Sequence, residues 1–110
     1  MLGLLTILAW AGLAMDARSE TCRASYYGYE SGSITASGES FNPHRISVAM
    51  PTHRWGRVKV SYRGRSVVAR LNDYGPAAWT GRCIDLSLGA ARALGMTQVG
   101  VALVQISRVD

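Results

Sequence analysis

The chain has 110 residues, 48% of them hydrophobic, which is enough for one small domain with its own core and too little for two. Twelve Lys and Arg residues against seven Asp and Glu residues give a formal charge of +5, and every basic residue except Lys59 is an arginine. This composition excludes an intrinsically disordered chain, and the length excludes a TIM barrel or a complete dinucleotide-binding fold.

The first 15 residues form an uncharged apolar run, MLGLLTILAWAGLAM. The run is shorter than the roughly 18 residues needed to cross a bilayer, and it is typical of the apolar part of a secretory signal. We expect residues 1–17 to be a signal peptide, cleaved after Ala14 or Ala17, and residues 18–110 to form the exported domain. A buried N-terminal helix or an uncleaved anchor is the alternative.

Export decides how the two cysteines are interpreted. In an oxidising compartment Cys22 and Cys83 are most simply a disulfide, and closing a loop of roughly 60 residues predicts about 4 kcal/mol of stabilisation. A free catalytic thiol is the alternative, but it would need a histidine oriented by a third group. Ser-Glu-Thr precedes Cys22 instead of a lipobox, so we expect no lipid attachment there. Loss of the signal also removes Asp16, and the more basic domain should favour acidic partners.

Short alternating or apolar runs bounded by turn residues predict six strands after the signal. They cover residues 24–28, 46–49, 58–62, 66–71, 84–86 and 99–106. Residues 28–42 predict a long loop, and residues 63–65 predict a tight turn that joins two strands into a hairpin. Residues 72–76, Asn-Asp-Tyr-Gly-Pro, should leave the sheet, because Gly-Pro cannot continue a ladder.

One helix is predicted before the last strand. Ser87 is a typical N-cap, Leu88, Ala91 and Leu94 recur on one helical face, and Gly95 is a typical stop. Many short strands with a single helix favour a small closed β-barrel.

Five segments in this order carry a family resemblance. They are A-S-Y-Y-G (24–28), T-A-S-G-E-S-F (35–41), N-D-Y-G-P (72–76), G-R-C-I-D-L-S (81–87) and A-A-R-A-L-G-M (90–96). Together they resemble the RlpA (rare lipoprotein A) family, which is related to expansins, over about residues 24–104. The resemblance implies a mainly β fold, a six-stranded double-psi β-barrel with one short helix. It also implies an endolytic peptidoglycan transglycosylase that prefers glycan strands without stem peptides and leaves 1,6-anhydro-muramyl ends.

Cutting a glycosidic bond in this way requires a carboxylic acid that protonates the leaving oxygen. Asp73 matches the acidic residue of the family's N-D-R-G-P motif and is the first candidate for the catalytic acid. Its alternative role is an Asx-turn onto the Tyr74 and Gly75 amides. Glu39 matches the family's A-x-G-E motif as a second catalytic carboxylate, with a solvated loop charge as its alternative role. We expect the barrel to bring Asp73 and Glu39 to one open groove.

Asp85 and Met50 also bear on the assignment of Asp73 and Glu39 as the catalytic carboxylates. Asp85 precedes the Ser87 cap, and we expect it to be structural and to pair with an arginine such as Arg82. Met50 replaces the active-site histidine of many family members, and the nearby His44 or His53 could compensate.

Flat aromatic faces and cations fit a sugar polymer that carries carboxylates. The aromatic candidates are Tyr26, Tyr27, Tyr29, Trp55, Tyr74 and Trp79, with core packing as the alternative for Tyr26 and Trp55. Arginines 54, 57, 63, 65 and 70 surround the predicted hairpin, with a solvated face as their alternative role. We assign substrate binding to Tyr26, Tyr74, Trp79 and Arg70. A basic groove would favour naked strands, which expose lactyl carboxylates.

The prediction is therefore an exported, periplasmic or secreted monomer that cleaves peptidoglycan glycan strands without a cofactor or metal. After signal removal we expect no stable membrane insertion. The alternative is a non-catalytic, expansin-like wall-binding module, which the Met50 replacement favours and the retained Asp73 and Glu39 oppose. Nucleic-acid binding is suggested only by the basic charge, and no recognition helix is apparent.

Overall fold

The computed structural model describes residues 19–28, 30 and 32–109. The signal peptide predicted over 1–17 and the candidate Tyr29 both lie outside these residues, so they remain sequence-based expectations. Within the described part of the chain, no helix combines the length and the apolar character needed to span a membrane.

The described residues form six strands and one α-helix. In chain order they are β1 (Glu20–Tyr27), β2 (Ser47–Met50), β3 (Gly56–Tyr62), β4 (Arg65–Tyr74), β5 (Ile84–Ser87), α1 (Leu88–Leu94) and β6 (Ala102–Arg108), with a 3₁₀ turn at Ala78–Thr80. The strands close into a barrel in the order β1-β5-β2-β4-β3-β6. The pairs β1–β5 and β2–β4 are parallel, and the other neighbours are antiparallel. The predicted double-psi β-barrel with one short helix is confirmed.

The core lies inside the barrel and under the helix. Its members are apolar residues that recur at every second position of the strands, because alternate side chains point inwards. The fully or almost fully buried members include Ala24, Val48, Val58, Val60, Ala69, Leu71, Ile84, Leu86, Leu94, Met96, Val104 and Ile106. Each buried aliphatic side chain contributes roughly 1.5–3 kcal/mol relative to exposure. This packing fixes the barrel wall that carries the site.

Helix α1 begins and ends as the sequence predicts. The Ser87 hydroxyl accepts from Ala90 N at 3.1 Å and donates to the Arg45 carbonyl at 2.6 Å, so one side chain caps the helix and ties it to the chain before β2. Gly95 ends the helix in the left-handed conformation, with φ of 72°. Gly89 approaches the His44 carbonyl so closely that any Cβ would collide with it. The glycine therefore allows the helix to dock on this segment.

Several predicted boundaries are wrong. Strand β1 begins at Glu20 instead of residue 24, because residues 20–24 already pair with β6. Residues 72–74 do not leave the sheet, because β4 stays paired with β2 as far as Tyr74 and the chain departs only at Gly75. The last strand starts at Ala102 instead of residue 99, because Val99 N and Gly100 N both bond back to the Met96 carbonyl after the helix. A turn therefore occupies the first residues of that apolar run.

The disulfide between Cys22 and Cys83 is present, and their Cα atoms are 5.8 Å apart, within the usual range. It joins β1 to the residue before β5, next to a bond from Cys83 N to the Arg23 carbonyl at 3.0 Å. The bridge therefore links two parallel neighbouring strands that both contribute to the site described below.

Candidate active site

Four residues form one row across four neighbouring strands. The register pairs Ser25 with Asp85, Asp85 with Ala49, and Ala49 with Asp73. Paired residues point to the same face, and the residues that alternate with them are buried in the barrel core: Ala24, Ile84, Val48 and Leu71. The row therefore places two carboxylates on the outer face of the barrel wall. They lie two strands apart, and only the Ala49 methyl group stands between them.

A register shift is what puts Asp73 in this row. Val48 pairs with Leu71 but Ala49 pairs with Asp73, so β4 carries one extra residue, Asn72, at this point. Strict alternation would turn Asp73 to the same side as Leu71, into the core. The bulge at Asn72 reverses that direction and brings the Asp73 carboxylate outwards.

The Asp73 carboxylate is held by two backbone donors. Ala36 N and Tyr74 N each donate to its Oδ1 at 2.9 Å. The bond from Tyr74 N fits the Asx-type alternative, but the bond from Ala36 N comes from a distant loop and fixes the carboxylate on the barrel wall. Both donors use one oxygen, so Oδ2 is the oxygen left for proton transfer.

The same loop carries Glu39 along β4. Ser37 N donates to the Asn72 carbonyl at 3.1 Å, and Glu39 lies over Arg70, whose Nε donates to both of its carboxylate oxygens at 2.9 Å. Arg70 Nη2 adds an ion pair at 2.8 Å. Arg70 and Asp73 are less than roughly 10 Å apart along the strand, so the loop places both candidate carboxylates on one stretch of β4.

Arg70 favours the ionised form of Glu39. Its hydrogen bonds lower the pKa of Glu39, and a further bond from the Ser37 hydroxyl at 3.1 Å acts in the same direction. An ionised Glu39 accepts hydrogen bonds and cannot serve as a proton donor. The pair also changes the expected role of Arg70, because its guanidinium is already directed at Glu39 and much of its charge is compensated.

Asp85 is held as expected for a structural residue. Its Oδ1 accepts from the Ser25 hydroxyl at 2.6 Å and from Arg82 Nε at 3.2 Å. Both members of the Asp85–Arg82 ion pair are mostly buried, so the two charges compensate each other on the barrel wall.

Exposed aromatic residues follow Asp73 in the chain. Tyr74 is half exposed, and its ring stacks on His53 with 4.5 Å between the ring centroids. His53 in turn meets the edge of Trp55, which packs partly against the core. Trp79, in the 3₁₀ turn after β4, is 89% exposed. Tyr74 and Trp79 therefore offer the flat surfaces that the sequence assigns to substrate binding.

Two other predicted positions lie elsewhere. Tyr26 packs against the core, and its hydroxyl donates to the Thr97 carbonyl at 2.9 Å. Met50 also packs against the core at one end of the barrel, beside Val58 and Ile106. Neither side chain belongs to the outer row. The core alternative therefore describes the placement of Tyr26, and we leave it out of the proposed binding surface.

Sequence reasoning gave Tyr27 no catalytic role, although the structure places it at this site. Its ring stacks on Phe41 at 5.0 Å, and its hydroxyl oxygen is buried. Burial raises the pKa of the Tyr27 hydroxyl far above its usual range, and the charges of Asp73 and Asp85 raise it further. Strand alternation could have indicated this placement from the sequence, because Tyr27 lies two residues after Ser25 and therefore on the same face of the strand.

The chain is similar to known proteins over most of its length. Residues 19–106 match the model of the lytic transglycolase family. A probable endolytic peptidoglycan transglycosylase RlpA of Nostoc sp. is 49% identical over 89 residues, covering 76% of this chain and 24% of that protein. The endolytic peptidoglycan transglycosylase RlpA of Pseudomonas aeruginosa is 37% identical over 91 residues, covering 79% of this chain and 26% of that protein. The chain thus spans about a quarter of the length of these relatives.

Solved structures show the same fold. Streptomyces papain inhibitor superposes with a TM-score of 0.71 at 24% identity, covering 84% of this chain and 94% of that one. An expansin of Clavibacter michiganensis superposes with a TM-score of 0.65 at 20% identity, covering 84% of this chain and 50% of that one. Since the family model matches almost the whole described domain, the chain belongs to the lytic transglycolase family of double-psi β-barrels.

Proposed function

We propose that this domain is an endolytic peptidoglycan transglycosylase that cleaves glycan strands and leaves 1,6-anhydro-muramyl ends. The observation that carries the proposal is the Asp73 carboxylate, fixed by two backbone donors on the outer barrel wall. The two RlpA relatives named above carry this activity in their names. Peptidoglycan lies outside the cytoplasm, so we also propose that the domain is exported.

Asp73 is the proposed catalytic acid and base. In its protonated form it donates the proton to the glycosidic oxygen as the bond from that oxygen to C1 breaks. The C6 hydroxyl of the same sugar then attacks C1, and its proton passes to the Asp73 carboxylate. The new C6–O–C1 bond closes the anhydro ring, the proton returns to its starting oxygen, and no water is consumed.

Glu39 and Arg70 support this reaction as a pair. Ionised Glu39 supplies negative charge near the oxocarbenium-like transition state, where positive charge develops on the sugar. Arg70 keeps Glu39 ionised and holds it along β4. Tyr74 and Trp79 stack on sugar rings that flank the scissile bond.

We further propose that naked strands are preferred. Arg57 on β3 lies opposite Arg70 on β4 in the antiparallel ladder, and its side chain is exposed. Because Glu39 already compensates Arg70, we assign the recognition of the lactyl carboxylates of strands without stem peptides to Arg57. An attached peptide converts that carboxylate to an amide and removes the charge.

The test is cleavage of sacculi from which an amidase has removed the stem peptides, with intact sacculi in parallel. Anhydro ends are measured by mass spectrometry. We expect release from naked strands, less release from intact strands, and none from Asp73→Asn, which keeps the shape but removes the transferable proton. Glu20→Gln changes an exposed carboxylate at the start of β1 and should leave release unchanged.

The rival function is a wall-binding module without turnover. Met50 favours it, because a methionine packed against the core cannot replace a histidine in acid–base chemistry. Binding to naked glycan without any anhydro ends in the wild type would support this rival and contradict the transglycosylase.

A further inference from the structure

The Tyr27 hydroxyl is the feature of the outer barrel wall that the proposed reaction leaves without a role. Its oxygen is buried, yet it makes no hydrogen bond of standard geometry with the described residues. A buried hydroxyl without a partner costs stability, so its retention in this position calls for a function. The ring cannot swing away freely, because it stacks on Phe41 with an interplanar angle of 12°.

The row of paired residues places Tyr27 on the face of the sheet that carries both carboxylates. Tyr27 lies on the same face as Ser25, and Ser25 leads across the sheet to Asp85, Ala49 and Asp73. Ala49 is buried although it points to the outer face, so other groups cover its methyl group. Its small size leaves space between the two carboxylates, and the Tyr27 hydroxyl has both as neighbouring charges.

The carboxylates of Asp85 and Asp73 differ in their hydrogen-bond and ion-pair partners. Asp85 has a hydroxyl donor in Ser25 and a cation in Arg82. Among the described residues, Asp73 forms no ion pair, and its two donors share Oδ1. The second oxygen of Asp73 is therefore the acceptor with unused capacity, and Tyr27 is the neighbouring side chain with an unused donor.

We propose that Tyr27 is a positioning residue that donates a hydrogen bond to the ionised Asp73 carboxylate during turnover. The inference rests on the proposed transglycosylase function. When Asp73 has given its proton to the leaving oxygen, the carboxylate is charged, and the Tyr27 O–H closes onto its second oxygen. Tyr27 keeps its own proton throughout, and the bond is released when the proton of the C6 hydroxyl returns to Asp73. The hydroxyl thus stabilises the intermediate form of the acid.

Several charged groups surround this pair. Asp73 comes from β4, Asp85 from β5, and Arg82 from the turn before β5, while His53 lies behind Tyr74 on the segment after β2. The ion pair of Asp85 with Arg82 is close to neutral. Loss of the Tyr27 hydroxyl should therefore act on activity chiefly through Asp73.

The first test is the pH–rate profile of Tyr27→Phe on naked glycan. Removal of one donor to a charged group should lower kcat by about 10- to 100-fold and change KM by less than about threefold. The alkaline limb should move to higher pH, because a carboxylate without that donor holds its proton more tightly. Tyr62→Phe removes the hydroxyl of another tyrosine, on β3, and is the control. It should leave both kcat and the alkaline limb of the pH–rate profile as in the wild type. An unchanged limb for Tyr27→Phe, with or without a lower melting temperature, would overturn the proposal.

The second test does not depend on turnover. The alkaline titration of Tyr27 is followed by NMR of ring-labelled tyrosine in the full chain, with Tyr27→Phe used to assign the signal. In Asp73→Asn the pKa of the Tyr27 hydroxyl should fall, because one of the negative charges that raise it is gone. An unchanged Tyr27 titration would overturn the inference even if the enzyme is active. If the pKa of Tyr27 falls in Asp73→Asn while the wild type releases no anhydro ends, the contact is upheld and only the transglycosylase is rejected.

Discussion

Ala36 N donates to Oδ1 of Asp73 at 2.9 Å, and this bond joins the loop that carries Glu39 to the strand that carries the candidate acid. The loop is closed on itself by a bridge between Ile34 and Ser40 and by Thr35 N bonding to the Glu39 carbonyl at 2.8 Å. Glu39 and Asp73 are therefore positioned by one hydrogen-bonded unit, although they lie 34 positions apart in the sequence.

The Glu39–Arg70 pair predicts a defined response to acid. In Arg70→Gln the pKa of Glu39 should rise, because the largest cause of its lowering is removed. The contribution of the pair to stability is present above the ordinary pKa of Glu, about 4.3, and is lost as pH falls through the lower folded-state pKa. Carboxyl-carbon NMR titration should show the change, with Lys59→Gln as the control. An unshifted Glu39 titration in Arg70→Gln would contradict the pair.

Removal of the Trp79 ring should weaken glycan binding without changing stability. Its side chain is 89% exposed, so Trp79→Ala should leave the melting temperature unchanged. Loss of a stacking ring should weaken binding to naked glycan by about 5- to 10-fold. The control is Leu103→Ala, which truncates another exposed apolar side chain, on β6. Equal affinity of Trp79→Ala and wild type would remove Trp79 from the binding surface.

Arg57 predicts the salt dependence of that binding. Affinity for naked glycan should fall as salt rises from 50 to about 300 mM, because exposed ion pairs are screened over about 8–10 Å. Arg57→Gln should bind more weakly at low salt and respond less to added salt. Arg63→Gln changes an arginine at the far end of the β3–β4 hairpin and should behave as wild type. Affinity that does not depend on salt would rule out recognition of the lactyl carboxylate by charge.

The disulfide predicts a loss of stability on removal. Replacing Cys22 and Cys83 together by serine should lower the free energy of unfolding by about 2–5 kcal/mol, because the unfolded chain gains conformational freedom. Denaturant unfolding measures the difference. Thiol titration of the unreduced, unfolded wild type should find no reactive thiol, and two thiols per chain would disprove the bridge.

The elements and the type of barrel could be predicted from the amino-acid sequence. Apolar residues at alternate positions of a strand, such as Val58 and Val60, all point to one face of the sheet. That face must be buried in a core, whatever the position of the strand in the barrel. The Ser87 cap and the Gly95 stop depend on local backbone conformation, which neighbouring residues fix. The motif around Asp73 could likewise be found from the chain, because it is contiguous.

The direction and the contacts of those side chains depend on how distant strands and loops pack together. Asp73 faces outwards because β4 takes up Asn72 as a bulge against β2, and nothing in the local sequence specifies that pairing. Arg70 is directed at Glu39 instead of open solvent because a distant loop folds along β4. Tyr27 lies on the same face as Asp73 through three strand pairings, each set by packing of the opposite face of the sheet against the core. These relationships join residues far apart in the chain, so the register of the closed barrel is what creates them.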